Sequence, residues 1–112
     1  MENQKLSFVS KEQLLEMMEN KVNFKLVEVL SADSFKEGHL PSAINIPVGD
    51  IGEKAGVLLP DKDEKIIVYC SSFTCTASTG AARELQLMGY KNIFDYKGGK
   101  KDWQAADLPL VK

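Results

Sequence analysis

Two cysteines are the residues of this sequence best suited to chemistry. Cys70 and Cys75 are the only cysteines in the chain, and both lie in one short segment. A cysteine thiolate is a strong nucleophile that forms and breaks bonds to sulfur, so it can accept a sulfur atom and pass it on. A bridge between cysteines this close in sequence would close a small loop and stabilise the fold little. The pair therefore suggests a chemical role for these thiols.

The residues around Cys70 predict a strand that passes into a helix. The run KIIVYC at 65–70 is apolar and rich in β-branched residues, as in a buried parallel strand. The intervening loop would direct backbone N–H groups, and the following helix its positive dipole end, towards the Cys70 sulfur, which favours a thiolate or persulfide anion. Helical spacing begins after the loop, at Ala77, Ala81, Leu85 and Met88. The candidate anion- and persulfide-binding loop comprises Ser71, Ser72, Phe73, Thr74, Cys75 and Thr76.

The same residues also allow a chemically inert interpretation. Free cysteine is often a small buried hydrophobic residue, so the residues alone leave open whether Cys70 is reactive or only packed. Cys75 is a candidate resolving thiol that would attack a Cys70 persulfide. Its alternative is an uninvolved residue near the start of a helix, and a disulfide needs Cα atoms within about 7 Å and side chains that face one another.

The rest of the chain alternates between strand and helix patterns. Ser10 is a good N-cap for a helix at 11–19, and a weak helix is expected within 48–59. This alternation predicts an α/β fold with a mainly parallel central sheet and helices on both faces, and its ligand site beyond the carboxyl ends of the strands. The remaining predicted elements are strands at 24–30, 43–46 and 92–96, a helical turn at 32–37, and a last short helix that ends near Pro109.

Composition limits the partners and the compartment. With 112 residues, 44% hydrophobic and 27% charged, the chain is expected to be a single domain over 1–112. A net charge of −2 provides no basic field for nucleic acid or anionic lipid, so neither is expected as a partner. We find no export signal in MENQKLSFVS and no run of about 18–20 apolar residues that would span a bilayer. The expected localisation is cytoplasmic.

Two long segments resemble the rhodanese family of sulfurtransferases. VYCSSFTCTAS with AARELQLMGYKNIFDYKGGKKDW is similar to the family's cysteine loop and its later Gly-Gly…Trp segment. LVEVLSADSFKEGHLPSAINIP is similar to its acidic strand and Gly-His-Leu-Pro signature. The resemblance runs from about Val9 to Pro109 and implies a three-layer rhodanese-like sandwich with Cys70 as the persulfide-carrying catalytic residue. It implies structural roles for Gly98, Gly99, Trp103 and the signature residues that include His39.

The loop departs from the pattern of members that use thiosulfate. Those members have glycine at the fourth and arginine at the sixth loop position, where this chain has Phe73 and Cys75. The acidic-Xaa-Arg element of the earlier strand ends here in Leu30, and Arg83, the sole arginine, is expected on the surface. Loss of these cations favours polysulfide or a persulfide over thiosulfate as donor, with a thiol, cyanide or a protein as sulfur acceptor. The alternative function is a catalytically degenerate binding or regulatory module.

Two other chemistries are disfavoured by the same residues. Cysteine-dependent phosphatases and arsenate reductases close a Cys-Xaa5-Arg loop with arginine, and Thr76 stands at that position. Two cysteines and the distant His39 do not form a usual four-ligand zinc pattern. No metal and no cofactor are therefore expected.

Overall fold

A computed structural model of the chain describes residues 6–112. Strands and helices alternate along this part of the chain, as their sequence patterns predict. A short 3-10 turn, Val48–Asp50, leads into the third helix. The elements are β1 (Ser7–Phe8), α1 (Lys11–Glu19), β2 (Lys25–Glu28), α2 (Ala32–Glu37), β3 (Ile44–Asn45), α3 (Ile51–Leu58), β4 (Lys65–Tyr69), α4 (Ala77–Leu87), β5 (Asn92–Tyr96) and α5 (Gly99–Ala105).

The strands form one parallel sheet in the order β1-β5-β4-β2-β3. β4 is central and pairs with both β2 and β5, so that Tyr69 lies opposite Glu28 on one side and Tyr96 on the other. Because all strands run in the same direction, their carboxyl ends meet at one edge of the sheet. Cys70 is the first residue beyond β4 at that edge.

Apolar side chains cover both faces of the sheet. On one face, Val68 and Cys70 pack in a cluster with residues of α3 and α4 such as Leu85. On the other face, Tyr69 packs with Leu14 of α1 and Trp103 of α5. The alternation of side chains along β4 sends successive residues to opposite layers. The predicted three-layer α/β sandwich is therefore confirmed.

Local sequence signals account for several element boundaries. The helix predicted at 11–19 has those bounds, and its N-terminus carries a capping box: Gln13 N donates to Ser10 Oγ at 3.1 Å, and Ser10 N donates to Gln13 Oε1 at 2.8 Å. The strand predicted at 92–96 also has the observed bounds. The strand predicted at 24–30 is shorter, because the regular pairing of β2 ends at Glu28.

The edge strand β1 was not predicted from the sequence. Its two residues, Ser7 and Phe8, are exposed and show no apolar pattern. The strand is defined by its pairing with β5, which Val9 N extends by donating to Asp95 O at 3.1 Å. No helix within the described residues is long and apolar enough to cross a membrane. No export signal is expected in the N-terminal segment MENQKLSFVS. Its first five residues lie outside the described part of the chain.

Candidate functional site

Cys70 lies between the central strand and the first turn of α4. Its side chain is fully buried, and its Sγ is 3.5 Å from the hydroxyl oxygen of Ser78, which is also buried. Ser78 is the second residue of α4, whose first N–H groups have no partners within the helix. When Cys70 is reduced to a thiolate, the Ser78 hydroxyl can turn its hydrogen towards the sulfur, and this donor and the positive helix end both favour negative charge there. Sequence reasoning missed Ser78, although its place in the first turn of the helix was available as a signal.

The structure brings the two cysteines together as a disulfide. The Cα atoms of Cys70 and Cys75 are 6.5 Å apart, and the sulfur atoms are bonded. The loop curls so that Cys75 N donates to Ser72 O at 3.0 Å, which uses one of the amides expected to face an anion. Cys75 is half-buried, so the pair is accessible from the Cys75 side of the loop.

The other loop side chains line the outside of this turn. Ser71, Thr74 and Thr76 are exposed, and Ser72 Oγ lies 3.1 Å from Thr74 Oγ1. Phe73 is 63% exposed and stands at the tip of the loop. The loop therefore presents hydroxyls and one aromatic ring to an approaching molecule.

The start of α5 packs tightly against the Cys70 loop. Lys100 N donates to Cys70 O at 3.1 Å, and Lys101 N donates to Ser71 O at 2.8 Å. Gly99 has φ +64°, and a Cβ atom there would lie only 2.9 Å from the carbonyl carbon of either Cys70 or Ser71. Glycine is thus required by both the backbone conformation and the close approach.

A buried polar network lies beneath this contact. Glu28 is fully buried, and its Oε2 is 3.1 Å from Lys100 Nζ. The Tyr69 hydroxyl donates to Glu28 Oε1 at 2.8 Å and accepts from Leu40 N at 3.0 Å. Burial, above all, raises the pKa of Tyr69; the Leu40 amide lowers this pKa, and Glu28 raises it further. Tyr69 therefore stays neutral and remains a donor to the carboxylate.

Lysines, and not the arginine, supply positive charge next to the loop. Lys97 follows β5, and its Nζ donates to Cys75 O. Arg83 is exposed in the middle of α4. Sequence reasoning overlooked both lysines, because the Gly-Gly…Trp segment was interpreted as structural. Lys97 directly precedes this segment, and Lys100 lies within it.

His39 is held by contacts within its own connection. Its ring stacks on Phe35 with centroids 3.7 Å apart, and its Nδ1 is 2.9 Å from Phe35 O. Its backbone pairs with Val111 in both directions at 2.8 Å. Within residues 6–112, no three side chains of the His, Cys, Asp and Glu types form a group suited to a metal ion.

Comparisons with known proteins match this arrangement. A sequence model of the Rhodanese-like domain family covers residues 10–106. The chain belongs to the rhodanese-like family. The family and the fold that the sequence resemblance implied are therefore confirmed. In this fold, Cys70 directly follows the central strand β4.

Individual relatives of this rhodanese-like domain differ in length. The thiosulfate sulfurtransferase PspE of Escherichia coli is 32% identical over 87 residues, which are 77% of each chain. An HTH-type transcriptional regulator of Mycobacterium tuberculosis is 31% identical over 85 residues, 76% of this chain and only 36% of the regulator. A crystal structure of a rhodanese-related protein from Thermoplasma volcanium superposes with a TM-score of 0.79 at 26% identity and covers 94% of this chain and 97% of its own.

Proposed function

We propose that this rhodanese-like domain transfers sulfur through a persulfide on Cys70. The observation that carries the proposal is the position of the Cys70 sulfur, at the carboxyl edge of the central strand and 3.5 Å from the buried Ser78 hydroxyl. The family membership supports the general class, since a relative that matches over 77% of its length is a thiosulfate sulfurtransferase. That residues 1–112 act as one domain stays a prediction.

The proposed reaction begins from the reduced pair of thiols. The Cys70 thiolate attacks a sulfane sulfur of the donor, the donor's sulfur–sulfur bond breaks, and the leaving group departs with the electron pair. An acceptor thiolate or cyanide then attacks the outer sulfur of the persulfide, and Cys70 leaves as a thiolate. Polysulfide or a persulfide suits the loop better than thiosulfate, because Cys75 stands where thiosulfate-using members have arginine. A protein acceptor remains part of the proposal.

We further propose that Cys75 resolves the persulfide. The Cys75 thiolate attacks the inner sulfur, expels hydrosulfide, and leaves the Cys70–Cys75 disulfide that the two sulfurs form here. A cellular dithiol must then return two electrons to the pair before the next cycle. Such dithiols are maintained in the cytoplasm, which is the compartment that we propose for this protein.

A mass-spectrometric experiment tests the Cys70 proposal. The full chain is reduced, freed of reductant, and exposed separately to inorganic polysulfide and to thiosulfate. In Cys75→Ser, which lacks the proposed resolving thiol and so retains the persulfide, we expect the peptide with Cys70 to gain the mass of one sulfur atom after polysulfide treatment, and cyanide to remove it as thiocyanate. Cys70→Ser keeps a small polar side chain but removes the nucleophile, so this folded variant should release no thiocyanate.

The same measurement discriminates the alternative function. A reduced, folded Cys75→Ser protein that gains no sulfur from either donor would favour a binding or regulatory module. That alternative has one observation in its favour, because one relative is a transcriptional regulator that extends well beyond the matched region. Thiocyanate release by a folded Cys70→Ser protein would contradict the assignment of Cys70.

A further inference from the structure

Lys97 and Cys70 occupy neighbouring positions at the carboxyl edge of the sheet. The last register pair of β4 and β5 is Tyr69 with Tyr96, so Cys70 and Lys97 are the residues that directly follow the two strands. Adjacent parallel strands lie about 4.8 Å apart, and side chains alternate between the faces. Cys70 packs on the α3 and α4 face. Lys97 leaves the sheet on this face too, since its Nζ contacts the carbonyl of Cys75.

The Lys97 ammonium has no carboxylate partner in the described part of the chain. None of the ion pairs formed among residues 6–112 includes it, and its hydrogen bond goes to the neutral Cys75 O. The nearest acidic residue in sequence is Asp95, which is fully buried and accepts from Thr79 Oγ1 at 2.9 Å through Oδ2. A half-buried ammonium without a carboxylate partner, hydrogen-bonded to the loop that carries Cys70, can bind an anionic ligand.

We propose that Lys97 is a specificity-determining residue that attracts the anionic end of the sulfur donor to Cys70. The proposal rests on the proposed role of Cys70 and adds the charge class of its substrates: sulfur donors with a negative terminus, such as inorganic polysulfide or thiosulfate. The cation comes from the end of β5, not from the sixth loop position, where this chain has Cys75. An ammonium acts as a point charge, so it accepts anions of varied shape, unlike the planar fork of arginine.

Paired alkylating reagents test this proposal without sulfur transfer. Iodoacetate and iodoacetamide react with a thiolate in the same way but differ in charge, so the ratio of their rates at Cys70 cancels changes in nucleophilicity. The reduced full chain is treated with each reagent, and the Cys70 peptide is followed by mass spectrometry. Lys97→Gln removes the charge and keeps a donor for Cys75 O, and we expect the iodoacetate-to-iodoacetamide ratio to fall about threefold to tenfold.

The controls separate local charge from net charge and from structure. Lys97→Arg should retain the wild-type ratio. Lys91→Gln makes the same change in net charge at the opposite end of β5, where Lys91 Nζ lies 3.5 Å from Asp63, and it should leave the ratio unchanged. Lys97→Met provides a second neutral variant if Lys97→Gln does not fold, which thermal melting will show.

Sulfur-transfer kinetics extend the test to the donors themselves. Lys97→Gln should raise KM several-fold for polysulfide, thiosulfate or both while changing kcat less, because the cation acts in donor binding. A wild-type ratio in folded Lys97→Gln and Lys97→Met, or an equal fall in Lys91→Gln, would overturn the proposal. Because alkylation does not require a persulfide, this outcome is independent of whether Cys70 transfers sulfur.

Discussion

At the scale of single residues, Ser78 and Cys75 give the Cys70 sulfur two neighbours with different chemistry. The Ser78 hydroxyl, 3.5 Å away and buried, can donate to a thiolate and lower the cost of its charge. Cys75 can instead form a covalent bond to the same sulfur, as it does in the structure. The Cys70 sulfur is therefore next to one group that can stabilise its negative charge and to another that can remove this charge by forming a disulfide.

The resolving role of Cys75 leads to a prediction about sulfide release. Persulfidated wild-type protein should release hydrosulfide without an added thiol and form the Cys70–Cys75 disulfide, because the two Cα atoms are 6.5 Å apart. Cys75→Ser should release sulfide more than about tenfold more slowly, since its hydroxyl is not a nucleophile of comparable strength. Sulfide is measured colorimetrically, and the bridge is mapped by peptide mass spectrometry.

Chemical rescue of the same variant keeps this test specific. In Cys75→Ser, an added small thiol should restore sulfide release through an intermolecular attack. Equal spontaneous release from both proteins, with no Cys70–Cys75 bridge in the wild type, would leave Cys75 as a packing residue.

At the scale of elements, the loop after β4 is held by the start of α5. The carbonyls of Cys70 and Ser71 accept from the amides of Lys100 and Lys101, so the last helix fixes the backbone from which the sulfur projects. Gly99 permits this approach because it has no side chain. The resemblance implied a structural role for the Gly-Gly segment. In the structure, this segment lets the start of α5 hydrogen-bond to the backbone of the Cys70 loop.

Substitution of Gly99 should therefore disturb both stability and the loop. We expect Gly99→Ala to lower the free energy of unfolding by at least about 2 kcal/mol, since φ +64° is strained for alanine and its Cβ would collide with the Cys70 backbone. Gly80→Ala is the matched control, because Gly80 lies inside α4 and nothing lies within 4 Å of the added Cβ. It should stabilise by about 0.5–1 kcal/mol. Urea denaturation measures both values, and a Gly99→Ala protein as stable as wild type would contradict the close approach.

At the scale of the whole molecule, one buried ion pair joins the two halves of the chain. Glu28 lies in β2, and Lys100 lies in α5. The Lys100 ammonium also donates to Ser34 O at 2.8 Å in α2, and the Tyr69 hydroxyl connects Glu28 to Leu40 N. The network places polar partners from β2, α2, β4 and α5 beneath the Cys70 loop. Such a network is costly to break at one member, because the remaining charge stays buried.

A double-mutant cycle measures this coupling. Lys100→Met leaves the Glu28 carboxylate without its cation, and we expect a loss of about 3 kcal/mol in the free energy of unfolding. Glu28→Gln combined with Lys100→Met should cost less than the sum of the single changes, since it removes both charges. Lys91→Met is the control, because Lys91 pairs with Asp63 at the surface and should change stability by less than about 1 kcal/mol. Additive single changes at Glu28 and Lys100 would refute the coupling.

Local patterns in the sequence determined the main elements and the position of the cysteine loop. The helix at 11–19 and the strand at 92–96 follow from capping and from runs of apolar residues, which act over a few neighbouring positions. The alternation of strands and helices implied a parallel sheet, and therefore a site at its carboxyl edge. Cys70 could be placed at that edge because it directly follows the most apolar strand.

Contacts between residues distant in sequence decided the rest. β1 has no apolar pattern and exists by pairing with β5, while Lys97 meets the Cys75 carbonyl only because β5 lies beside β4. The sequence left open whether the two cysteines face one another, and the curl of the loop brings their sulfurs together. Periodicity and propensity report only near neighbours along the chain, whereas these partners are set by strand order and by close packing of backbone on backbone.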